Sequence, residues 1–506
     1  MKIGFLGNAN NYPFMLARAL RRAGHEVHFI VDRKSPLDRP ENRYSDMGPP
    51  YPDWIDDASD LPEAWSFHRR SAALDRVIGT LQDCAAVVLN QAGPALAPWI
   101  DRPHIALLTG ADLQFLANRT YLENAAGYRL SEQAVLKYLV AAQREGIRSA
   151  LAVSYFHPGL MPSGDALLAE IGVEDEHRLF WHMSDAEYIR AAPPPNNKVL
   201  RIFCPARICW IRKSIDPVTE DYKGSDIMLR GLALFVRKTG ASLDIRLPEK
   251  GKDVGPAREL VRELGLDSMV HWFAPMSQAT VLEEYARADI IFDQLGKSIV
   301  GMSGMDALAV GRPVIANGRP EIFKRFVEQP PAVLQASTPE EVSAQLMAMA
   351  NPEARLAAGE HARNFIVAHG SADQAAKMCA SIFGRVLGHP PALELWRADC
   401  EAGRTELLNQ HAERLSELSE TLSRRELEVH ERETTFEGRM EMLRERENGV
   451  LRVEGDLAQR AELSTKREEA IARRESTLAD EEAYYRGLPL FKQTIQFRAW
   501  LRRRRG

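Results

Sequence analysis

Short apolar runs separated by stretches of helical period constrain this chain more than any other feature. Residues 3–6, 27–31, 85–89, 104–108 and 150–153 are such runs, and residues 14–23 repeat at helical spacing between the first two. A short run with no polar face suits a strand buried on both sides, so the alternation predicts a parallel sheet with helices over both faces. At residues 191–198, Ala-Ala-Pro-Pro-Pro-Asn-Asn-Lys, three prolines forbid a helix and stiffen an extended link. The same rhythm then restarts at 199–203, 227–238, 242–247, 255–264, 270–273, 290–292 and 313–316. The predicted fold class is α/β, with two doubly wound, Rossmann-like domains over 1–190 and 199–390 joined by the proline-rich linker at 191–198. Two such domains bind ligand in the cleft at the carboxyl ends of their strands.

Composition shifts near residue 400: 43 of the last 106 residues are charged against 92 of the first 400, so a different kind of structure begins there. An apolar residue recurs every seventh place at Leu408, Leu415, Leu422, Val429, Phe436, Leu443, Val450, Leu457, Ile471 and Leu478, with Ser464 the exception. On a straight helix this stripe drifts by about 20° per heptad, so only a supercoil keeps it on one partner. Three places after the stripe stand Arg425, Arg432, Arg439, Arg446, Arg460, Arg467 and Arg474, a weak second seam whose stems cover apolar surface while their heads stay wet. The expectation is a long α-helical coiled-coil tail over 405–482, on the order of 105 Å at about 1.5 Å per residue. It would pair marginally as a homodimer, with a single solvated helix as the alternative. Residues 487–506 hold Lys492, Arg498 and Arg502 to Arg505 and no acid, interleaved with apolar residues. This basic amphipathic tip reads as an interfacial helix for an anionic membrane surface, or as a tail that keeps the end soluble.

A net charge of −5 argues against a specific nucleic-acid partner. The five cysteines form no metal-type pair, and no His/Asp/Glu cluster has metal spacing, so neither a metal nor a cofactor is expected. The first residues turn polar at Asn8, and no window approaches 18 uninterrupted apolar residues. The expected location is cytoplasmic, at most peripheral at the inner membrane face.

The segment Gly301-Met302-Ser303-Gly304-Met305-Asp306-Ala307-Leu308-Ala309-Val310-Gly311-Arg312-Pro313-Val314-Ile315-Ala316 predicts a short helix opened by small residues, ended by Gly311 and followed by a buried strand. A helix start beside Gly301 offers amides and a positive dipole end to an anion. Upstream stand Arg207, in Cys-Pro-Ala-Arg, and Lys223, in Tyr-Lys-Gly-Ser-Asp. Together these segments resemble the nucleotide-sugar motif of the glycosyltransferase group 1 families, the retaining GT-B enzymes of family 4 type.

That resemblance carries residue roles. Arg207 and Lys223 would neutralise a diphosphate leaving group with the amides near Gly301 and Met302, and Asp306 would meet ribose hydroxyls. Ser298 falls where the family has a glutamate, a departure that removes a negative charge from the donor-sugar side; Asp293 and Gln294, in Ile-Ile-Phe-Asp-Gln-Leu, would share the polar role. The strand at 243–247 and the loop at 270–275 are similar to the family's strand and base-binding loop, which places Ala274 and Pro275 at the nucleobase. In the first region, Gly7 and Asn8 end the first strand at the cleft, and the Thr109-Gly110-Ala111-Asp112-Leu113 turn resembles a family loop. Asp112 is a candidate acceptor-side catalytic group, with helix capping as its other reading.

The resemblance thus implies a glycosyltransferase that moves a sugar, with retention, from a nucleotide-diphosphate-sugar donor to a glycan, lipid-linked or protein acceptor, as in surface polysaccharide or glycoconjugate assembly. Two other readings remain open. One is a catalytically inactive scaffold of the same architecture working through its coiled coil, as Ser298 permits. The other is a nucleotide-sugar epimerase.

Overall fold

The computed structural model describes residues 1–32, 36–62, 67, 71–123, 130–211, 222–296, 299–447 and 453–487 of the 506. Two parallel sheets organise the first four hundred of them. The first has seven strands: β1 (Lys2–Leu6), β2 (Glu26–Asp32), β3 (Ile55–Ala58), β4 (Ala86–Leu89), β5 (His104–Leu107), β6 (Ala152–Ser154) and β7 (Arg178–Leu179), in the order β3-β2-β1-β4-β5-β6-β7. The second has six: β8 (Leu200–Phe203), β9 (Leu243–Pro248), β10 (Val270–Phe273), β11 (Ile290–Phe292), β12 (Val314–Ala316) and β13 (Leu334–Gln335), in the order β10-β9-β8-β11-β12-β13. Every described pairing is parallel, as between Ile3 and Ala86 or Ile291 and Phe203. The double winding expected from the alternating pattern is therefore present twice.

Burial explains the strand sequences. All four residues of β4 and of β5 and all three of β11 are buried, as strands covered on both faces must be. His104 is tolerated inside β5 because its Nε2 lies 2.6 Å from the Gly146 carbonyl, and burial lowers its pKa toward the neutral imidazole. Helix α1 (Tyr12–Arg22) carries Pro13 in its first turn and presents Phe14, Met15 and Leu16 to the first core. There Phe14 meets Phe29 edge-on at 4.8 Å, an arrangement worth about 0.5–1.5 kcal/mol beyond the area buried. Helix α2 (Ser225–Thr239) lies between two left-handed glycines, Gly224 at φ 71° and Gly240 at φ 70°.

In each sheet the strand order reverses once, at β1/β4 in the first and at β8/β11 in the second. Loops after those strands diverge to opposite faces and leave a crevice at the carboxyl edge. Helix α3 (Gln278–Arg287) precedes β11, and α4 (Met302–Val310) joins β11 to β12. Helix α5 (Ala372–Leu387) follows both sheets in sequence yet packs Ala372, Ala375, Ala376, Cys379 and Phe383 into the core of the first. The chain thus passes between the two lobes twice. The two passages meet where Ser184 donates its amide to the Gly370 carbonyl and Ala372 donates to the Ser184 carbonyl.

Beyond these lobes the tail differs from the continuous helix expected. It forms α6 (Pro390–Glu447) and α7 (Val453–Gly487). Arg467 of α7 pairs with Glu433 of α6 at 3.4 Å and lies over the Phe436 ring at 5.4 Å. Residues 433 and 467 stand equally far from the connection at 448–452, which lies outside the described residues, so α7 runs back along α6. The described positions of α7 that are buried or half-buried are Arg467, Arg474, Thr477, Leu478 and Glu481, whereas Phe436 and Ile471 of the heptad stripe stay 40% and 39% exposed. Arginines of the row expected as the weak seam thus share the covered side of α7 with Leu478 of the heptad stripe. Residues 488–506 of the basic tip lie outside the described residues. Among the described residues no helix is long and apolar enough to cross a membrane.

Candidate functional site

The β8/β11 crevice collects most of the second lobe's candidates, because each sits one loop beyond a strand that ends there. Arg207 follows β8. Its loop is pinned to the loop after β9 by Ile208, which donates its amide to the Lys250 carbonyl at 2.8 Å, and by Asp253, which donates to the Ile208 carbonyl at 3.2 Å. Lys223 leads into α2. It donates its amide to Cys209, and its carbonyl accepts from Leu295 at 3.0 Å and Gly296 at 3.3 Å, so it is held between the loops of β8 and β11. Its Nζ donates to Gln294 Oε1 at 2.8 Å.

Asp293 and Gln294 come directly after β11. The Gly301 amide donates to Asp293 Oδ2 at 2.5 Å, which ties the end of the strand to the start of α4. A Cβ on Gly301 would stand 2.7 Å from Gln294 Nε2, the movable end of a side chain, whereas one on Gly304 would stand 2.7 Å from both Asp293 Oδ2 and Val300 Cγ1, a tighter fit that favours glycine. Burial pushes the Asp293 carboxyl up to about 6, against the opposing pull of the Gly301 amide and the Lys223 charge. Lys223, Gln294, Asp293 and Gly301 therefore form one connected chain of contacts. The first-turn amides of α4 have no acceptor inside their own helix, as at any helix start.

Lys250, which the sequence reading did not single out, joins this set. Desolvation disfavours its charge, and so does the nearby Arg207. Two cations brought together at a strand edge are stabilised by an anion between them. A signal for Lys250 exists in the sequence, since it lies three residues past the predicted strand end at 247. Ala274 and Pro275 follow β10, two strands from β8 and so about 10 Å away at about 4.8 Å per strand. Met302, the first residue of α4, packs against the core of the first lobe. Ser298 lies outside the described residues.

Asp306 stands one turn into α4 and is engaged. Arg43 Nη1 donates to Oδ2 at 2.7 Å, Arg43 Nη2 to Oδ1 at 2.8 Å, and Ser184 Oγ to Oδ1 at 2.7 Å. A contact to ribose hydroxyls requires this arrangement to open. The first-lobe candidates also hold their own turns. Gly7, at φ 87°, lies so close to the Asn90 carbonyl that a Cβ would stand 2.2 Å from its oxygen. Asn8 accepts from the Phe14 amide and donates to Asn11 Oδ1 at 2.9 Å. Asp112 is buried and accepts from the amides of Thr109, Gly110 and Leu113 and from Asn90 Nδ2, which organises the turn after β5. Burial shifts its carboxyl upward. Asn8 and Asp112 are both buried and bonded within the first lobe.

A cavity of about 330 Å³ lies at the opposite, amino edge of β11 and β12, lined by Arg312, Arg355 and Arg363 among others. Arg312 donates to the carbonyls of Tyr285, Ala286, Ala192 and Pro193, and Arg363 to those of Ala186, Ile189 and Ala309. These guanidiniums tether the proline-rich link to the second lobe. Among the described residues no group of His, Cys, Asp or Glu could hold a metal ion.

No family model matches the chain, and no curated protein sequence matches it. Solved structures do. HepE from Anabaena, in complex with UDP-glucose, is 12% identical, with 76% of this chain and 100% of that chain covered and a TM-score of 0.49. A glycosyltransferase from Rickettsia africae gives 12%, 76%, 98% and 0.48, and a sucrose-phosphate synthase from Thermosynechococcus elongatus gives 13%, 77%, 99% and 0.45.

Proposed function

We propose that this protein transfers a sugar from a nucleotide-diphosphate donor to an acceptor at the β8/β11 crevice, as a GT-B glycosyltransferase. The observation that carries the reading is the convergence of Lys223, Gln294, Asp293 and the Gly301 amide beside Arg207 and Lys250 at the point where strand order reverses. In the transfer the bond from the anomeric carbon to the diphosphate oxygen breaks, its electron pair leaves with the diphosphate, and an acceptor hydroxyl bonds to the carbon and gives its proton to the departing diphosphate oxygen. Charge therefore develops on the diphosphate. Arg207, Lys223 and Lys250 meet it with fixed positive charge, and the α4 start adds amides and a dipole. Ala274 and Pro275 stand toward the base. Retention, a glycan, lipid-linked or protein acceptor, and a tail that recruits a second copy or an anionic membrane complete the proposal.

The engagement of Asp306 by Arg43 favours one competing reading, a binding body without turnover. A thermal-shift screen of UDP-, GDP-, ADP- and CMP-linked sugars tests the first step, since a ligand at 100 times its Kd raises stability by about 2.7 kcal/mol. One nucleotide class is expected to stabilise the wild type, and Arg207→Ala and Lys223→Ala are expected to lose that shift. No shift with any of them refutes the site. A shift without transfer or hydrolysis across an acceptor panel leaves the non-catalytic reading.

A further inference from the structure

Arg43 and Asp306 stand 263 residues apart in the chain, yet they form a bidentate pair at 2.7 and 2.8 Å inside the protein, where they are 0% and 5% exposed. Arg43 comes from the first lobe, in the loop between β2 and β3. Asp306 belongs to α4 of the second, one turn beyond the Gly301 amide that Asp293 holds. Ser184, which shares Asp306 Oδ1, lies on the first passage between the lobes, where its backbone pairs with Gly370 and Ala372 on the second. The next residues continue the link: Tyr44 donates to Asp185 Oδ2 at 3.1 Å, and Arg22 pairs with Asp185 and Asp373. Burial works against the Arg43 charge, and the Asp306 carboxylate together with Tyr44 outweighs it.

A planar fork met by a carboxylate fixes orientation as well as distance, which a lysine in the same place could not do. Helix α4 is thus held at Asp306 by a first-lobe side chain and at Gly301 by the second sheet. We propose that Arg43 is a positioning residue of the donor site: through Asp306 it sets where the start of α4 stands against the crevice, and the Asp306 carboxylate serves this pair rather than the ribose. The proposal rests on the nucleotide-sugar reading for its ligand, and on the ion pair alone for its geometry.

The test measures the Kd of the nucleoside diphosphate that binds the wild type, in its ribo, 2′-deoxy and 3′-deoxy forms, for Arg43→Lys, Asp306→Asn and the two combined. Each single variant is expected to weaken binding about tenfold, by the same factor for all three forms, with the combination no weaker than the worse single variant. A loss in Asp306→Asn that vanishes with either deoxy form places Asp306 on the ribose and overturns the proposal. So does an unchanged Kd in a folded Arg43→Lys protein whose melting temperature alone has fallen. If Asp306→Asn does not fold, Arg43→Met/Asp306→Leu replaces the pair with apolar groups of similar size. It is expected to fold and bind weakly; wild-type affinity for all three forms overturns the proposal. If the wild type binds no nucleoside diphosphate, the sugar-transfer reading falls by itself. Amide exchange over residues 302–306 then decides on Arg43: faster exchange in Arg43→Lys supports the positioning role, and unchanged exchange ends it.

Discussion

Asp293 shows how one buried side chain links stability to the crevice. Its carboxyl stands at about 6 in the native protein against an ordinary 3.8, so the folded state holds this proton more tightly than the unfolded chain does. The stability it contributes is complete below about pH 4 and is lost as pH rises through about 6, on the order of 3 kcal/mol at about 1.4 kcal/mol per unit. Asp293→Asn retains an acceptor for the Gly301 amide and cannot ionise. Its melting temperature is expected to exceed that of the wild type at pH 7.5 and to approach it near pH 3.5; parallel pH profiles would contradict this. Gly304 supplies a steric counterpart, since a Cβ there would meet both Asp293 Oδ2 and Val300 Cγ1 at 2.7 Å. Gly304→Ala should therefore cost about 1–3 kcal/mol in a denaturant titration, as overpacking does, whereas an alanine at the open position Gly79 should be tolerated.

At the scale of elements, the tail separates a repeat from its partner. Seven-residue spacing states that a stripe exists and leaves open whether the stripe meets a second chain or the same chain folded back. Here Arg467 reaches Glu433 and Phe436 of its own chain, and arginine stems cover what leucines would cover in a stronger seam. Spin labels at 433 and 467 on dilute protein are expected to report a short distance within one chain. A continuous helix would hold them about 50 Å apart at about 1.5 Å per residue, so a long distance would rule out the fold-back. The second-lobe loops behave differently, because each begins at the end of a strand in one parallel sheet, which makes its start at the carboxyl edge readable in advance.

Across the whole molecule, α5 is the element whose sequence position and structural role diverge most. It lies after the second sheet, yet Cys379 and Phe383 are fully buried in the core of the first. Ending the chain at residue 370 should leave that core open and the protein insoluble, although all seven strands of the first sheet remain; removal of Phe383 alone by Phe383→Ala should cost about 3–5 kcal/mol. A soluble, cooperatively melting fragment 1–370 would show that the return passage is dispensable. Strands β1, β2, β4, β5 and β6 of the first sheet, β8 to β12 of the second and the candidates Arg207, Lys223, Asp293, Gln294 and Gly301 were legible beforehand, because strand and helix periods are local and doubly wound folds place loops at one edge, whereas the short edge strands β3, β7 and β13 carry no long apolar run. Lys250 was within reach of the same rule. By itself the sequence determined the layers and which loops face the crevice, since burial of apolar periods leaves few alternatives. Only the tertiary structure decided that Arg43 holds Asp306, that α5 returns to the first core and that α7 doubles back on α6, because each depends on which distant groups are buried together, and no local period encodes that.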